Sequence, residues 1–245
     1  MDIHQKYTVW SLVKNNEFEK ACKMADEGYT ETGDMLLLRN KIYALFHLKK
    51  YQEIIHLSEA LIEIEKSEYS SESDFISLGI ANWLLGDELK AIEVWQNGQN
   101  CIYKDAAGGI EIQVFLYFAA VKTKNDKLKL TVVKAIKKIL KSKRSVNYPG
   151  PLGHYLLNDI TERQLSSYVV NVPILRERQL CQAHFVAAIK ILETGDTEGY
   201  YRKLKASISY GSPSYLEQMY YLAKGELENN NKNDSKLISW IKKWR

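Results

Sequence analysis

Residues 75–98 read FISLGIANWLLGDELKAIEVWQNG. Phe75, Leu78 and the run from Ala81 to Leu85 fill one face of a helix, Gly86-Asp87 ends it and starts another, and Leu89, Ile92 and Trp95, continued by Ile102, fill the face of the second. Two amphipathic helices joined by so short a turn must pack antiparallel. Gly79 and Ala91 lack the bulk that would hold the two axes apart, while Phe75 and Trp95 supply large side chains around the close approach.

This order of small and large residues resembles one tetratricopeptide helix-turn-helix unit, except that Tyr103 stands where that repeat usually ends in proline. Weaker copies flank it. Residues 34–65 read as a helix through Leu45 and Leu48, a turn at Lys49-Lys50 and a second helix carrying Tyr51, Ile54, Ile55, Leu57 and Leu61. Val9 to Ala25 turns at Asn15-Asn16, residues 107–141 turn at Asn125-Asp126, and Phe185 to Ile208 turns at Gly195-Asp196, echoing Gly86-Asp87. About five helix pairs follow. The four prolines all lie beyond residue 148, and no period-two alternation is long enough for a sheet, so the expected fold is all-α. It is expected to be a right-handed array of antiparallel helix hairpins, a tetratricopeptide-like α-solenoid, forming a single helical-repeat domain over 1–245.

Within that domain, residues 145–173 break the pattern. Pro149-Gly150-Pro151 cannot lie inside a helix, so the segment reads as an elbow, or a boundary, separating 1–144 from 174–245. Toward the end, the polar stretch Glu226 to Asp234 reads as a linker before a last amphipathic helix, carrying Leu237, Ile238, Trp240, Ile241 and Trp244, that caps the array. Met1 to Trp10 has no apolar run of signal-peptide length and no stretch approaches a membrane span, so a cytoplasmic protein with no membrane partner is expected. Cys22, Cys101 and Cys181 are far apart and set among helical apolar residues, which makes them buried thiols.

Charge is unevenly distributed about a net +4. Residues 51–100 hold ten acids and two bases, whereas residues 122–144 hold ten bases and one acid, Asp126. The lysines from Lys127 to Lys141 surround an apolar stripe of Leu128, Val132, Ile136 and Ile139, which makes them a solvated face, a phosphate contact, or a partner for acidic groups inside or outside the chain. Arginine forks and interleaved aromatics are missing from this face, so nucleic acid is a disfavoured ligand. Chemistry-bearing constellations are sparse. The five histidines show no ligand spacing, Asp105-Ala106-Ala107-Gly108-Gly109 lacks the lysine and hydroxyl residue of a phosphate loop, and Cys181 with His184 reads as helix packing. No enzyme, no metal and no cofactor is expected. The adjacent pairs Tyr200-Tyr201 and Tyr220-Tyr221 must each send one ring away from the side the other occupies, so that ring is either exposed to a partner or packed by a neighbouring helix of the array.

Beyond the repeat, GIANWLLGDELKAIEVWQNG from Gly79, DAAGGIEIQVFLYFAA from Asp105 and YPGPLGHYLL from Tyr148 resemble bacterial immunity proteins of contact-dependent inhibition and related polymorphic toxin systems. The resemblance covers about a third of the chain. It implies a protein that binds a cognate toxin domain and neutralises it, the toxins of such systems often being nucleases, EndoU-type ribonucleases among them. A pI near 8.7 departs from the acidic character usual in nuclease inhibitors, and only the first half of the chain carries the matching charge. The expected partner-binding residues are therefore the carboxylates of the second and third hairpins with neighbouring aromatics: Glu53, Glu59, Glu63, Glu72, Asp74, Asp87, Tyr69 and Trp83. A general protein-binding adaptor or assembly chaperone is the first alternative, and an RNA-binding helical repeat working through Lys127 to Arg144 the second. The sequence leaves the oligomeric state open.

Overall fold

A computed structural model describes residues 3–243, with the side chains of 3–7, 66–68 and 231–243 left out of the description. The described residues form thirteen α-helices, a few short 3-10 turns and no strand. The helices are α1 (Ile3–Lys14), α2 (Phe18–Thr32), α3 (Met35–His47), α4 (Tyr51–Tyr69), α5 (Glu72–Leu85), α6 (Glu88–Gly98) and α7 (Ile110–Lys122). They continue as α8 (Asp126–Ile139), α9 (Gly150–Leu156), α10 (Glu162–Ser167), α11 (Leu175–Glu193), α12 (Thr197–Ser207) and α13 (Gln218–Lys243).

The quoted hairpin is α5 and α6, and its turn chemistry is local. Gly86 closes α5 with φ of 92°, a conformation that costs glycine little, and the Asp87 side chain accepts from Lys90 N to start α6. The same device joins α11 to α12, where Gly195 has φ of 86° and Asp196 accepts from Gly199 N at 2.7 Å. At the crossing, Trp95 lies flat against Gly79 and its Nε1 donates to Ile76 O at 3.3 Å. A Cβ built on Gly79 would come within 2.1 Å of that nitrogen, so the glycine is what lets the indole in. Three side chains assigned to the hairpin faces are instead exposed. Leu85 and Leu89, the latter 82% exposed, sit at the tip of the hairpin on either side of the chain reversal, and Ile102 lies in the connector after α6 has ended.

Consecutive helices pack on one another from α1 to α8, and α11 packs on α12. The region between is not a bare connector. The helix α9 starts at Gly150 with Pro151 in its first turn, where a missing N–H is harmless, and packs against α7 and α11. Then α13 runs back across α5, α11 and α12, so residues from Leu38 to Leu227 share one apolar core built around Trp95, Phe115, Phe118 and Phe185. A smaller cluster, with Val9, Val13, Ala21, Ala25, Leu37 and Ala44, closes the first hairpin onto α3.

One expectation is corrected here and one open alternative is decided. The stretch from Glu226 to Asp234 is not a linker, because α13 is helical without a break from Gln218 to Lys243. Its Glu226 is buried and accepts from Trp83 Nε1 at 2.9 Å, Tyr200 Oη at 2.9 Å and Lys122 Nζ at 2.6 Å, which ties the polar run to three other helices. The side chains of the expected capping residues, Leu237 to Trp244, lie outside the described residues. The tyrosine pairs are not presented to solvent either: Tyr200, Tyr220 and Tyr221 are buried, Tyr201 half-buried, and Tyr221 stacks on Phe46 with ring centroids 4.7 Å apart. Tyr200, Tyr220 and Tyr221 belong to the shared apolar core and Tyr201 packs against it.

Candidate binding cleft

Six segments meet around a cleft of about 370 Å³: the first turn of α5, the connector 103–106, the first turn of α7, the Tyr148-Pro149 corner, the first half of α11 and Glu217 just before α13. The sequence SESD at the start of α5 explains one wall. Ser71 caps the helix by accepting from Ser73 N, and two acids follow in the first turn, where the helix dipole favours negative charge. Both are nevertheless buried. Asp74, 2% exposed, is gripped by Arg39 of α3 through Nε at 3.0 Å and a terminal nitrogen at 2.7 Å, and the same guanidinium reaches Glu65 of α4 at 2.6 Å. Burial raises the Asp74 carboxyl above its usual range even against Arg39.

Glu72, 4% exposed, has no such cation. Its Oε1 accepts from Asp105 N, and its Oε2 is a buried atom without a hydrogen-bond partner. Burial first, and the Asp105 carboxylate second, push the Glu72 carboxyl up to about 8. Asp105 itself is consumed by the backbone. It accepts from Ala107 N at 2.8 Å, Gly109 N at 3.0 Å and Glu111 N at 2.6 Å, so the Asp-Ala-Ala-Gly-Gly stretch is a cap that launches α7, with Gly108 and Gly109 at φ of 97° and 105°.

The opposite wall carries Glu111, Gln182, Arg178 and Glu217. Gln182 Nε2 donates to Glu111 Oε1 at 2.8 Å and also to Glu217, whose other oxygen accepts from Arg178 Nε. Burial raises Glu217, with Arg178 opposing, and burial followed by the charges of Glu217, Asp105 and Glu72 holds Glu111 well above the ordinary carboxyl range. Four carboxyl groups thus face one guanidinium across the cleft. The floor is short of positive charge.

Two further hollows adjoin it. One of about 470 Å³ is lined by Arg39, Ile64, Glu65, Tyr69, Ser71 and Tyr103, and another of about 210 Å³ lies between Leu36, Arg39, Ser73, Asp74 and Gln218. Shared residues Ser71, Tyr103, Arg39 and Ser73 join the three into one groove. Its lips are apolar and exposed: Leu36, Ile64, Tyr69 at 58%, Tyr103 and Leu175. Beside Leu175 the chain also exposes Val170, Val172 and Ile174, and Ile174 has φ of 70°, an unfavourable conformation for a β-branched residue.

Of the eight residues expected to bind a partner, Glu72, Asp74 and Tyr69 come together in this groove. Asp87 is spent as the α6 cap at the hairpin tip, and Glu53 pairs with Lys50 at 2.9 Å; with Glu59 and Glu63 it is exposed on α4 and lines none of the three hollows. Trp83 is a core residue. Its ring packs on Phe118 at 4.9 Å and Trp95 at 6.0 Å, with Nε1 engaged by Glu226. The sequence reading missed Glu111, Arg178, Gln182 and Glu217, which look like ordinary helix-surface residues until α11 and the start of α13 are laid beside α7.

Elsewhere, Cys101 and Cys181 are buried free thiols and Cys22 is half-buried. His184 hydrogen-bonds Tyr210 Oη at 2.9 Å, and Cys181 lies by Ser207, so the two are not engaged with each other. The basic face of α8 finds internal acids outside residues 51–100: Lys129 pairs with Glu193 of α11, as does Lys190 at 2.5 Å, while Lys122 of α7 pairs with Glu226. Among the described residues no group of three His, Cys, Asp or Glu side chains is placed to hold a metal ion, and no helix is long and apolar enough to cross a membrane. No protein-family model matches the chain, and no curated protein matches it.

Proposed function

We propose that the protein works by holding a segment of another polypeptide in the three-part groove, without catalysing a reaction, and that this partner is a toxin domain silenced by the contact. The observation that carries the binding reading is the pairing of an apolar, exposed lip with a carboxylate floor short of cations. A partner that covers Tyr69, Tyr103 and Ile64 gains apolar burial and, in the adjoining cleft past Tyr103, meets the carboxyl groups of Glu72 and Glu111, which suit positive charge. The toxin assignment rests on the resemblance of the segments from Gly79, Asp105 and Tyr148 to immunity proteins, and a nuclease, whose substrate surface is basic, fits the charge of this groove. The groove lies on what we infer to be a right-handed, tetratricopeptide-like array in a cytoplasmic protein; the succession of contacts from α1 to α8 supports an array of paired helices.

Co-expression with the protein encoded beside it is the test. Rescue of growth together with a complex stable to gel filtration is expected, and Tyr69→Ala with Tyr103→Ala should weaken that complex at least tenfold. Absence of both rescue and complex overturns the toxin reading. Capture of several unrelated proteins through the same groove would instead mark an adaptor.

A second reading follows from another hollow of about 500 Å³, lined by Lys104, Lys138 and Arg144 beside Gly108 and Gly109. Salt-dependent retention on RNA, lost on reversing Lys138 and Arg144, would favour a nucleic-acid ligand over a protein.

A further inference from the structure

We propose that the cleft between α5, α7 and α11 is a receptor for one arginine side chain of the bound partner, with Glu72 and Glu111 as the two carboxylates that take its guanidinium. This deepens the protein-binding reading and rests on it.

The argument is one of unspent acceptors. Asp105 is saturated by three backbone N–H groups, and Glu217 is engaged by Arg178 and Gln182. Glu72 and Glu111 are each used on one oxygen only, Glu72 by Asp105 N and Glu111 by Gln182. The second oxygen of Glu72 is buried and orphaned, a state that costs about 1–3 kcal/mol unless a donor arrives. A guanidinium offers five N–H donors in a plane, enough to reach carboxylates on two walls at once, where an ammonium offers a point charge. The half-exposed ring of Tyr103 at the mouth gives the planar group a face to stack on as it enters. A volume of about 370 Å³ has room for such a side chain, and a small turn of the Glu72 carboxyl would bring its buried oxygen to the donor.

Protonation supports the same conclusion. Burial first, and then facing charges that are mostly carboxylates, push Glu72 up to about 8 and Glu111 higher than usual, with Lys104 at the rim and Arg178 already committed to Glu217. An entering cation favours the ionised forms, so binding expels protons and tightens as pH rises from 6 to 8, by at most tenfold per unit for each proton released.

The probe is Nα-acetyl-arginine N-methylamide, titrated at pH 8 into the full chain and followed by ¹H–¹⁵N NMR, with the uncharged citrulline analogue as its control. Saturable shifts in the Gln182 side-chain amide and the Asp105 and Gly109 backbone amides are expected with arginine alone. Glu72→Gln and Glu111→Gln, which preserve shape, should each weaken binding at least tenfold, while Glu53→Gln on α4 changes nothing. Equal shifts from the citrulline analogue, or arginine shifts that do not saturate or that map elsewhere, overturn the proposal without any variant. If the probe binds as expected but no toxin complex forms, the pocket stands and the toxin reading falls. A toxin complex indifferent to Glu72→Gln and Glu111→Gln has the opposite meaning.

Discussion

At the scale of single residues, Gly79 and Glu72 show how one side chain can set a local balance in opposite ways. Adding a methyl group to Gly79 improves helix propensity by about 1 kcal/mol but drives an atom into the rigid Trp95 indole. Overpacking of this kind costs about 1–3 kcal/mol, and a close approach of 2.1 Å puts it at the upper end, so Gly79→Ala should lose about 2 kcal/mol in urea unfolding. Glu72 is a matter of pH. Its carboxyl rises from 4.5 to about 8 on folding, so the stability it allows is fully present below pH 4.5 and is lost as pH climbs through 8. Glu72→Gln should therefore match the parent near pH 4.5 and exceed it by more than about 1.4 kcal/mol at pH 8.5, a difference thermal melts at the two pH values will read. Ile174 stores strain of about 1–3 kcal/mol at φ of 70°, and Ile174→Gly should recover about 1 kcal/mol of it.

At the scale of helices, what could be read from the sequence was what lies within one turn of chain. Gly86-Asp87 and Gly195-Asp196 announce a stop and a cap in adjacent residues, and Gly79 opposite Trp95 follows from helical spacing. The cleft was not readable in the same way, because Glu72, Glu111 and Glu217 are separated by many residues and meet only through tertiary packing. Trp83 was misplaced for a related reason. It lies in the apolar run Ala81 to Leu85 that the spacing puts on the packed face, and α13 returns to complete its burial and supplies Glu226 to its Nε1. That carboxylate joins α13 to α5, α7 and α12, so Glu226→Ala, which leaves Lys122, Trp83 and Tyr200 without their acceptor, should cost about 3 kcal/mol in chemical unfolding. Asp105→Ala removes the cap of α7 and should cost about 2 kcal/mol, while also relieving the charge that raises Glu72.

At the scale of the whole molecule, the two charge blocks serve different ends. The acids nearest the groove are drawn into it, with Arg39 organising Glu65 and Asp74, whereas part of the basic block is used to fasten α7 and α8 to α11 and α13. Exposed carboxylates of α4 remain outside the groove, where under the proposed function they would act on a partner only at longer range. Reversing Glu59 should slow association and reduce its salt dependence while leaving dissociation nearly unchanged, in contrast to Tyr103→Ala, which should speed dissociation. Stopped-flow mixing at two ionic strengths separates the two effects.

The backbone crossing at Ser70 has its own consequence. Ile102 N and Tyr103 N both donate to Ser70 O, and Tyr103 O accepts from Glu72 N, stitching the connector after α4 to the connector after α6. These amides can reach water only when the two connectors part, so deuterium should enter Glu72, Ile102 and Tyr103 at one common rate, and a ligand seated beside them should slow all three together.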